Sequence, residues 1–517
     1  MNDYWRARGK SKEDAVKGSA KRFLGIDLGA SSGRIFLGTL ENGRLSISKI
    51  YGFPNQGVQI FNGLYWDTPR LFEEVKKGLR VAVENHGSSF NGIGVDTWGV
   101  SFALLDNQND LVGLPRHYRD RRADGMLEKL VKKVPADELF RRTGIQPLQI
   151  NTSTQLFTMV ETRSPQLQVT EKLLMMPDYF NFLLTGVTCS EYTVATTSQL
   201  YDPFRRDWAS DLVKRLGLNV GWFQKIIEPG AALGRIHETV EEQTGLDLET
   251  PVIAIASHDT AAAVAAVPVE EDVGGWAYIS SGTWSLMGVE LERPLISEEA
   301  LRYGLSNEGG VFGTVRLLKN IIGLWLVQKA LEQWKLERDA EITYDDIERQ
   351  AEQAEPFAHF IVPDSSVFLN PENMVDAIQK YCRASEQEVP RDIGSVSRSI
   401  FEGLAFRYRQ TLEQLQDVSE KPIESIYVVG GGSKNSLLYQ FTSNATGLPV
   451  NAGPSEATVA GNILMQAAAA GEIDSLKALR ETVKKSFNIK SFRPMMSSEW
   501  EEAYKRYLRH YEQQRTG

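Results

Sequence analysis

The chain has 517 residues, 42% of them hydrophobic and 24% charged, with a formal net charge of −10. That length exceeds one ordinary domain, so two or more are expected, and the acidic balance excludes a general nucleic-acid binder, which needs a basic face toward phosphates. The two cysteines, Cys189 and Cys382, exclude a disulfide framework and a thiolate metal site, and read as buried thiols in a reducing cytosol.

Residues 1–22 are rich in Lys, Arg, Glu, Asp and Ser and lack an apolar run, so they read as a disordered extension, not a signal peptide. Phe23 to Asp27 reads as a short buried strand, Leu28 to Gly33 as a tight turn and Arg34 to Leu40 as a second strand. Asn42-Gly43 is a hairpin signal, and the alternation from Leu45 to Tyr51 predicts a third strand. Asp67-Thr68-Pro69 starts a helix with Leu71, Val75, Leu79 and Val83 on one face. Ile93 to Asp96 is a strand that stops at Thr97-Trp98-Gly99, and Val100 to Leu105 continues as strand. Residues 114–250 read as inserted helices and loops, with a helix opening at Met176-Pro177-Asp178 and a polar loop from Glu191 to Thr197.

Val252 to Ile255 is a short strand, Ser257-His258-Asp259-Thr260 a polar turn, and the Ala/Val-rich stretch beyond it a helix. The window from Pro251 to Val269 is the most apolar in the chain, but His258 and Asp259 make it too polar to span a membrane. After Pro268 the pattern begins again. Trp276 to Ser280 and Trp284 to Leu291 are strands around the turn Ser281-Gly282-Thr283, and Lys319-Asn320 opens an apolar helix through Gln328. Ile426 to Val429 is a strand ending in Gly430-Gly431-Gly432-Ser433, with helices from Asn435 and Glu456 around the strand Pro449 to Asn451. Trp500 to Gln514 reads as an exposed amphipathic helix without a chemical role.

Strand, Gly/Ser/Thr turn, strand thus occurs at 23–40 and again at 276–291, and strand then glycine turn at 93–99 and again at 426–432. This internal repeat predicts an α/β fold of two related domains around a cleft. The expected bounds are an extension at 1–22, an N-terminal domain at 23–267, a C-terminal domain at 268–480 and a helical tail at 481–517.

Glycines let backbone N–H groups converge on an anion, and serine hydroxyls add donors. Ala30, Ser31, Ser32, Gly33 and Arg34 therefore form a candidate phosphate cradle, with Asp27 placed to hold Mg²⁺ through water; the bland alternative is an ordinary hairpin turn. Gly29 to Gly33 also fits G-x-S-x-G, but that nucleophile elbow must lead into a helix, and a strand follows here. Ser281-Gly282-Thr283 and Gly430-Gly431-Gly432 supply further donors, the latter at a strand end before a helix. The P-loop and dinucleotide fingerprints are absent, so a bound ATP requires a clamp split between domains. Asp259 is either a helix N-cap or a base that accepts a hydroxyl proton. His258 is a rival base or a hydrogen-bonding neighbour. Trp98, in a polar turn, is either core or a platform for the C–H face of a sugar. Asn320 and Gln328 are placed near the cleft.

These stretches together resemble the FGGY carbohydrate kinases. The resemblance rests on Asp27 to Arg34, Ile93 to Val100, Met176 to Phe180, Ala256 to Ala261, Ser280 to Gly288, Leu318 to Trp325, Val429 to Gly432 and Ala452 to Ala457, in collinear order over roughly residues 22–475. It implies two ribonuclease-H-like domains of the sugar kinase, heat-shock protein and actin superfamily. It implies ATP-dependent phosphorylation of a ketose, L-rhamnulose, at its 1-hydroxyl. With the charge, thiols and hydropathy above, the expectation is a cytoplasmic enzyme, a monomer or small homo-oligomer with no nucleic-acid or membrane partner. Kinases for L-fuculose or L-xylulose and an actin-like ATPase switch are the alternatives. By the same resemblance Asp259 is the catalytic base; Ala30, Ser31, Ser32, Gly33, Arg34, Thr283, Gln328, Gly430, Gly431 and Gly432 bind ATP; and Gly99, His258, Asp259, Thr260 and Asn320, beside Trp98, bind sugar. Ser101 departs from the pattern, standing where relatives can carry an acidic residue.

Overall fold

The opening alternation folds as three antiparallel strands, β1 (Lys21–Leu28), β2 (Ser32–Glu41) and β3 (Arg44–Pro54). Asn42 and Gly43 take φ of 52° and 70°, the left-handed pair whose twist matches that of the flanking strands. The computed structural model describes residues 20–269, 274–338, 341–419, 421–495 and 497–516. The expected extension lies outside the described residues as far as position 19, and Lys21 and Arg22 already belong to β1.

Helix α1 (Thr68–His86) starts where Asp67 accepts a hydrogen bond from Arg70 N, and it buries Leu71, Val75 and Leu79 against the sheet. β4 (Gly92–Thr97) follows, parallel to β1 and buried at every residue. The strand expected from Val100 is shorter: Val100 turns with φ 61°, and only Phe102–Leu105 is extended, in a separate two-stranded sheet. α2 (Met176–Thr185) packs against β4. Glu191 to Thr197 is not a polar surface loop but a buried helical turn, Tyr192–Ala195, followed by a 3₁₀ turn. β5 (Ala231–Arg235), β6 (Pro251–Ala254) and α3 (Asp259–Ala265) complete this half. The sheet order is β5-β6-β4-β1-β2-β3.

The second half repeats this plan. β7 (Gly275–Ser281), β8 (Trp284–Leu291), β9 (Ser306–Gly309) and β10 (Val315–Ile322) are antiparallel neighbours in the order β9-β10-β8-β7. Lys319 and Asn320 therefore lie on a strand, and helix α4 (Trp325–Arg338) begins only after Gly323. Pairing on both edges of β10 decides a run whose apolar character alone fits helix or strand. α5 (Ile393–Ser419) leads to β11 (Ile423–Val429), parallel to β7; α6 (Ser436–Thr446) and β12 (Val450–Ala452) follow.

α7 (Ala457–Ala469) then crosses to the first half, where it packs on β1 and on α3. A Cβ on Gly461 would lie 1.9 Å from Ala262 O, so the two Ala-rich helices touch backbone to backbone. The chain ends with β13 (Lys490–Phe492), beside β12, and α8 (Ser497–Thr516). The expected exposed tail is part of the core: Trp500, Tyr504 and Tyr507 are buried in a cluster with Phe406 and Phe441. Both cysteines are free and buried.

Candidate active site

A cavity of about 660 Å³ lies between the halves and is lined by both. On the N-terminal side, β1 and β4 are in register so that Asp27 pairs with Asp96, while Asp27 pairs with Arg34 across the hairpin. Arg34 donates from Nη2 to Asp27 Oδ2 at 2.5 Å and from Nη1 to Glu456 Oε2, at the start of α7, at 2.9 Å. Burial raises the Asp27 carboxyl above its ordinary value; Arg34 opposes this and the charge of Asp259 adds to it. Asp96 is raised further, by burial and then by the charge of Asp27. Of the first turn, Ala30, Ser31, Ser32 and Arg34 line the cavity. Gly33 does not: it lies under Phe53, whose ring would be 2.2 Å from an added Cβ, so this glycine is set by packing.

The turn before α3 settles the capping question. His258 occupies the cap position and Asp259 is the first helical residue. Asp259 Oδ1 accepts from Thr260 N at 2.5 Å and Thr260 Oγ1 at 3.1 Å, while 32% of its side chain remains exposed. Ser257 and His258 are buried beside it. The segment holding this turn is the one read as a polar loop. Glu191 accepts from Thr193 N, Val194 N and Ser257 N, and from Thr193 Oγ1 at 2.6 Å. Thr193 Oγ1 in turn accepts from His258 N at 3.1 Å. Thr97 N donates to Ser257 O at 2.9 Å, so the turn that ends β4 is tied to the turn before α3.

Trp98 is only 5% exposed, packed on Trp66 with ring centroids 4.0 Å apart, yet it borders the cavity. Its Nε1 is buried and has no hydrogen-bond partner among the described residues. A Cβ on Gly99 would lie 3.1 Å from Thr197 Oγ1 and 3.2 Å from His258 Nε2, so glycine keeps that floor open. Thr260 and Asn320 complete the lining here. Ser101 is fully buried and accepts from Trp66 Nε1 at 3.2 Å, away from the cavity lining.

Across the cleft, Thr283, Gln328 and the three glycines line the wall. Thr283 Oγ1 donates to Gln328 Oε1 at 3.3 Å. The glycines differ in purpose. Gly430 has φ 89° and its Cβ would meet Ser281 O at 2.8 Å, and the Cβ of Gly432 would meet Ser281 Oγ at 2.2 Å. Gly431 has nothing within 4 Å and faces open space. Sequence reasoning missed Glu308, Asn151 and Lys434, which also line the cavity, together with the apolar Leu324 and Val327. Glu308 comes in through the pairing of β9 with β10, Lys434 through the turn after β11, Leu324 and Val327 through the start of α4, and Asn151 through the cap of the helix Thr152–Glu161.

Residues 22–265 match the FGGY family of carbohydrate kinases, N-terminal domain, and residues 277–470 match the C-terminal domain of the same family. The chain belongs to the FGGY family of carbohydrate kinases. It is therefore a phosphotransferase that acts on a sugar. A rhamnulokinase of Bacteroides thetaiotaomicron is 42% identical over 94% of this chain and 98% of that protein. One from Oceanobacillus iheyensis is 39% identical over 91% and 97%. The fold is that of solved sugar kinases: gluconate kinase from Lactobacillus acidophilus superposes with TM-score 0.78 at 15% identity, covering 95% of this chain and 97% of that one. Xylulose kinase from Rhodospirillum rubrum gives 0.76 at 16% identity, covering 95% and 99%. No helix among the described residues of this kinase is long and apolar enough to cross a membrane.

Proposed function

We propose that this carbohydrate kinase transfers the γ-phosphoryl group of ATP to the 1-hydroxyl of L-rhamnulose, in the breakdown of L-rhamnose. The observation that carries the choice of sugar is near-full-length identity of 37–42% to proteins named rhamnulokinase. The geometry supports the mechanism. Asp259 is the open carboxylate in an otherwise buried turn, and it borders both the Trp98 wall and the Asp27–Arg34 hairpin.

In this reading Asp259 accepts the proton of the attacking hydroxyl as phosphoryl transfer proceeds. Trp98, Gly99, His258, Thr260 and Asn320 hold the ketose so that its hydroxyl meets that carboxylate. The open face of Gly431, with Ala30, Ser31, Ser32, Arg34, Thr283 and Gln328, receives the nucleotide. Gly33 shapes the first turn from behind, while Gly430 and Gly432 border the cavity and fit closely against Ser281. The donor set also fits Mg²⁺ at Asp27: a carboxylate that burial and Asp259 both push toward protonation is one that a nearby cation relieves. When bound with ATP, Mg²⁺ neutralises charge on the transferring phosphoryl group. Among the described residues no group of three or more acidic, His or Cys side chains could hold a metal.

The test is a coupled ADP-release assay over L-rhamnulose, L-fuculose, L-xylulose and no sugar. Release that depends on sugar and has its highest kcat/KM with L-rhamnulose is expected. Equal release without sugar identifies an ATPase switch, and a preference for another ketose overturns the choice of substrate.

A further inference from the structure

His258 is 6% exposed, yet each of its ring nitrogens faces a carboxylate. Nε2 lies 3.4 Å from Asp259 Oδ1 and Nδ1 lies 3.3 Å from Glu308 Oε2. Behind them is Arg316, fully buried. Its Nε donates to Gly309 O at 2.9 Å, its Nη2 donates to Glu308 Oε2 at 3.1 Å, and Nη2 lies 3.2 Å from His258 Nδ1. Glu308 and Arg316 are directly opposed across β9 and β10, so the strand ladder fixes the pair. Both stand on the C-terminal sheet, whereas His258 precedes α3 of the other half. One half of the molecule thus grips the imidazole that stands beside the candidate base of the other.

A neutral imidazole carries one N–H, and the group facing each nitrogen decides where it sits. Both facing carboxylates only accept, but Asp259 Oδ1 already takes Thr260 N at 2.5 Å and Thr260 Oγ1 at 3.1 Å, so the proton is assigned to the nitrogen that faces Glu308. Burial pushes its carboxyl up, but the hydrogen bond from His258 and the charge of Arg316 outweigh burial and hold it below its ordinary value. As an anion its Oε2 accepts from Arg316 Nη2 at 3.1 Å and lies 3.3 Å from His258 Nδ1, within reach of an N–H on that nitrogen. Nε2 then faces the space that Gly99 leaves open.

We propose that Glu308, backed by Arg316, is a positioning residue for the sugar site: it keeps a proton on His258 Nδ1 and turns Nε2 toward the cleft beside Asp259, where it meets a hydroxyl of the bound ketose. The inference rests on the carbohydrate-kinase reading above and assigns the acidic residue of the second half a part in sugar selection. The bland alternative is a tie between the halves that stabilises the fold and leaves substrate affinity alone.

The experiment has two arms. The chain holds six histidines, so ¹⁵N-histidine labelling with the His258→Asn spectrum as the assignment gives the His258 signals. A pyrrole-type Nδ1 is expected; a pyridine-type Nδ1 overturns the proposal. This arm needs no turnover, so it stands even where L-rhamnulose proves not to be the substrate. In the kinetic arm, Glu308→Gln raises the ketose KM about tenfold, as expected for a lost hydrogen bond to a charged group, with the ATP KM within about twofold. The double variant Glu308→Gln/His258→Asn is no worse than His258→Asn alone, because Glu308 acts through the ring. Losses that multiply, or a KM for ketose that does not move, overturn it. Glu308→Asp keeps the charge opposite Arg316 and gives a smaller loss of the same kind, also absorbed by His258→Asn; it serves where the glutamine variant does not fold.

Discussion

Asn462 donates its side-chain amide to Asp96 Oδ2 at 2.6 Å, joining a helix of the C-terminal half to the strand that ends in the Trp98 turn. The same amide nitrogen reaches Gly94 O at 3.2 Å, and Asp96 Oδ1 has no partner among the described residues. Asn462 is thus the donor that makes this fully buried carboxyl tolerable.

Asn462→Ala removes that donor and costs about 1–3 kcal/mol, the penalty for a buried polar group left unsatisfied. Thermal unfolding should show a melting temperature several degrees lower. Asn462→Asp should do more damage, because it sets a second carboxyl against one already pushed toward protonation, and its deficit should grow as pH rises. An alanine variant as stable as the wild type contradicts this role.

The three consecutive glycines should separate by experiment. Gly431→Ala meets no neighbour and takes no positive φ, so its melting temperature should stay near that of the wild type while its KM for ATP rises. Gly430→Ala places a Cβ 2.8 Å from Ser281 O at a left-handed φ, and Gly432→Ala places one 2.2 Å from Ser281 Oγ. Both should lose stability first. Equal effects of all three on ATP affinity, with stability unchanged, would remove the distinction.

Glu191 supplies a pH signature. Burial raises its carboxyl from 4.5 to about 7, against the pull of the Thr193 hydroxyl and the N–H groups of Thr193, Val194 and Ser257. The folded chain binds this proton more tightly than the unfolded chain. Its contribution to stability is therefore full below pH 4.5 and lost as pH rises through about 7. Glu191→Gln lacks the group, so its melting temperature relative to the wild type should climb between about pH 5 and pH 8. A difference that stays flat across that range contradicts a raised Glu191.

The sequence was most legible where signals are local. The Asn42-Gly43 turn, the helix start at Asp67-Thr68-Pro69 and the polar turn before the Ala-rich α3 all fold as read, because each depends on neighbours a few residues away. The doubling of strand, turn and helix was legible for the same reason. Asn320 was placed on a helix because an apolar run fits either element, and only the pairing of β10 with β8, where Asn320 faces Leu286, makes it a strand. Gly33 and Gly431 look alike in sequence, but Phe53 explains the first and open space the second. Glu191 and Glu308 carry no motif at all. Their partners, Ser257 and His258, are distant in the chain, so their part in the site exists only after folding.

The most direct test of the account is Asp259→Asn. The amide fills the same space and can still accept from Thr260, so the fold should hold and L-rhamnulose and ATP should bind within a fewfold of the wild type. Without a carboxylate to take the hydroxyl proton, kcat should fall by about 10³-fold. Turnover within about tenfold of the wild type, with both substrates still bound, would show that another group does the work assigned to Asp259.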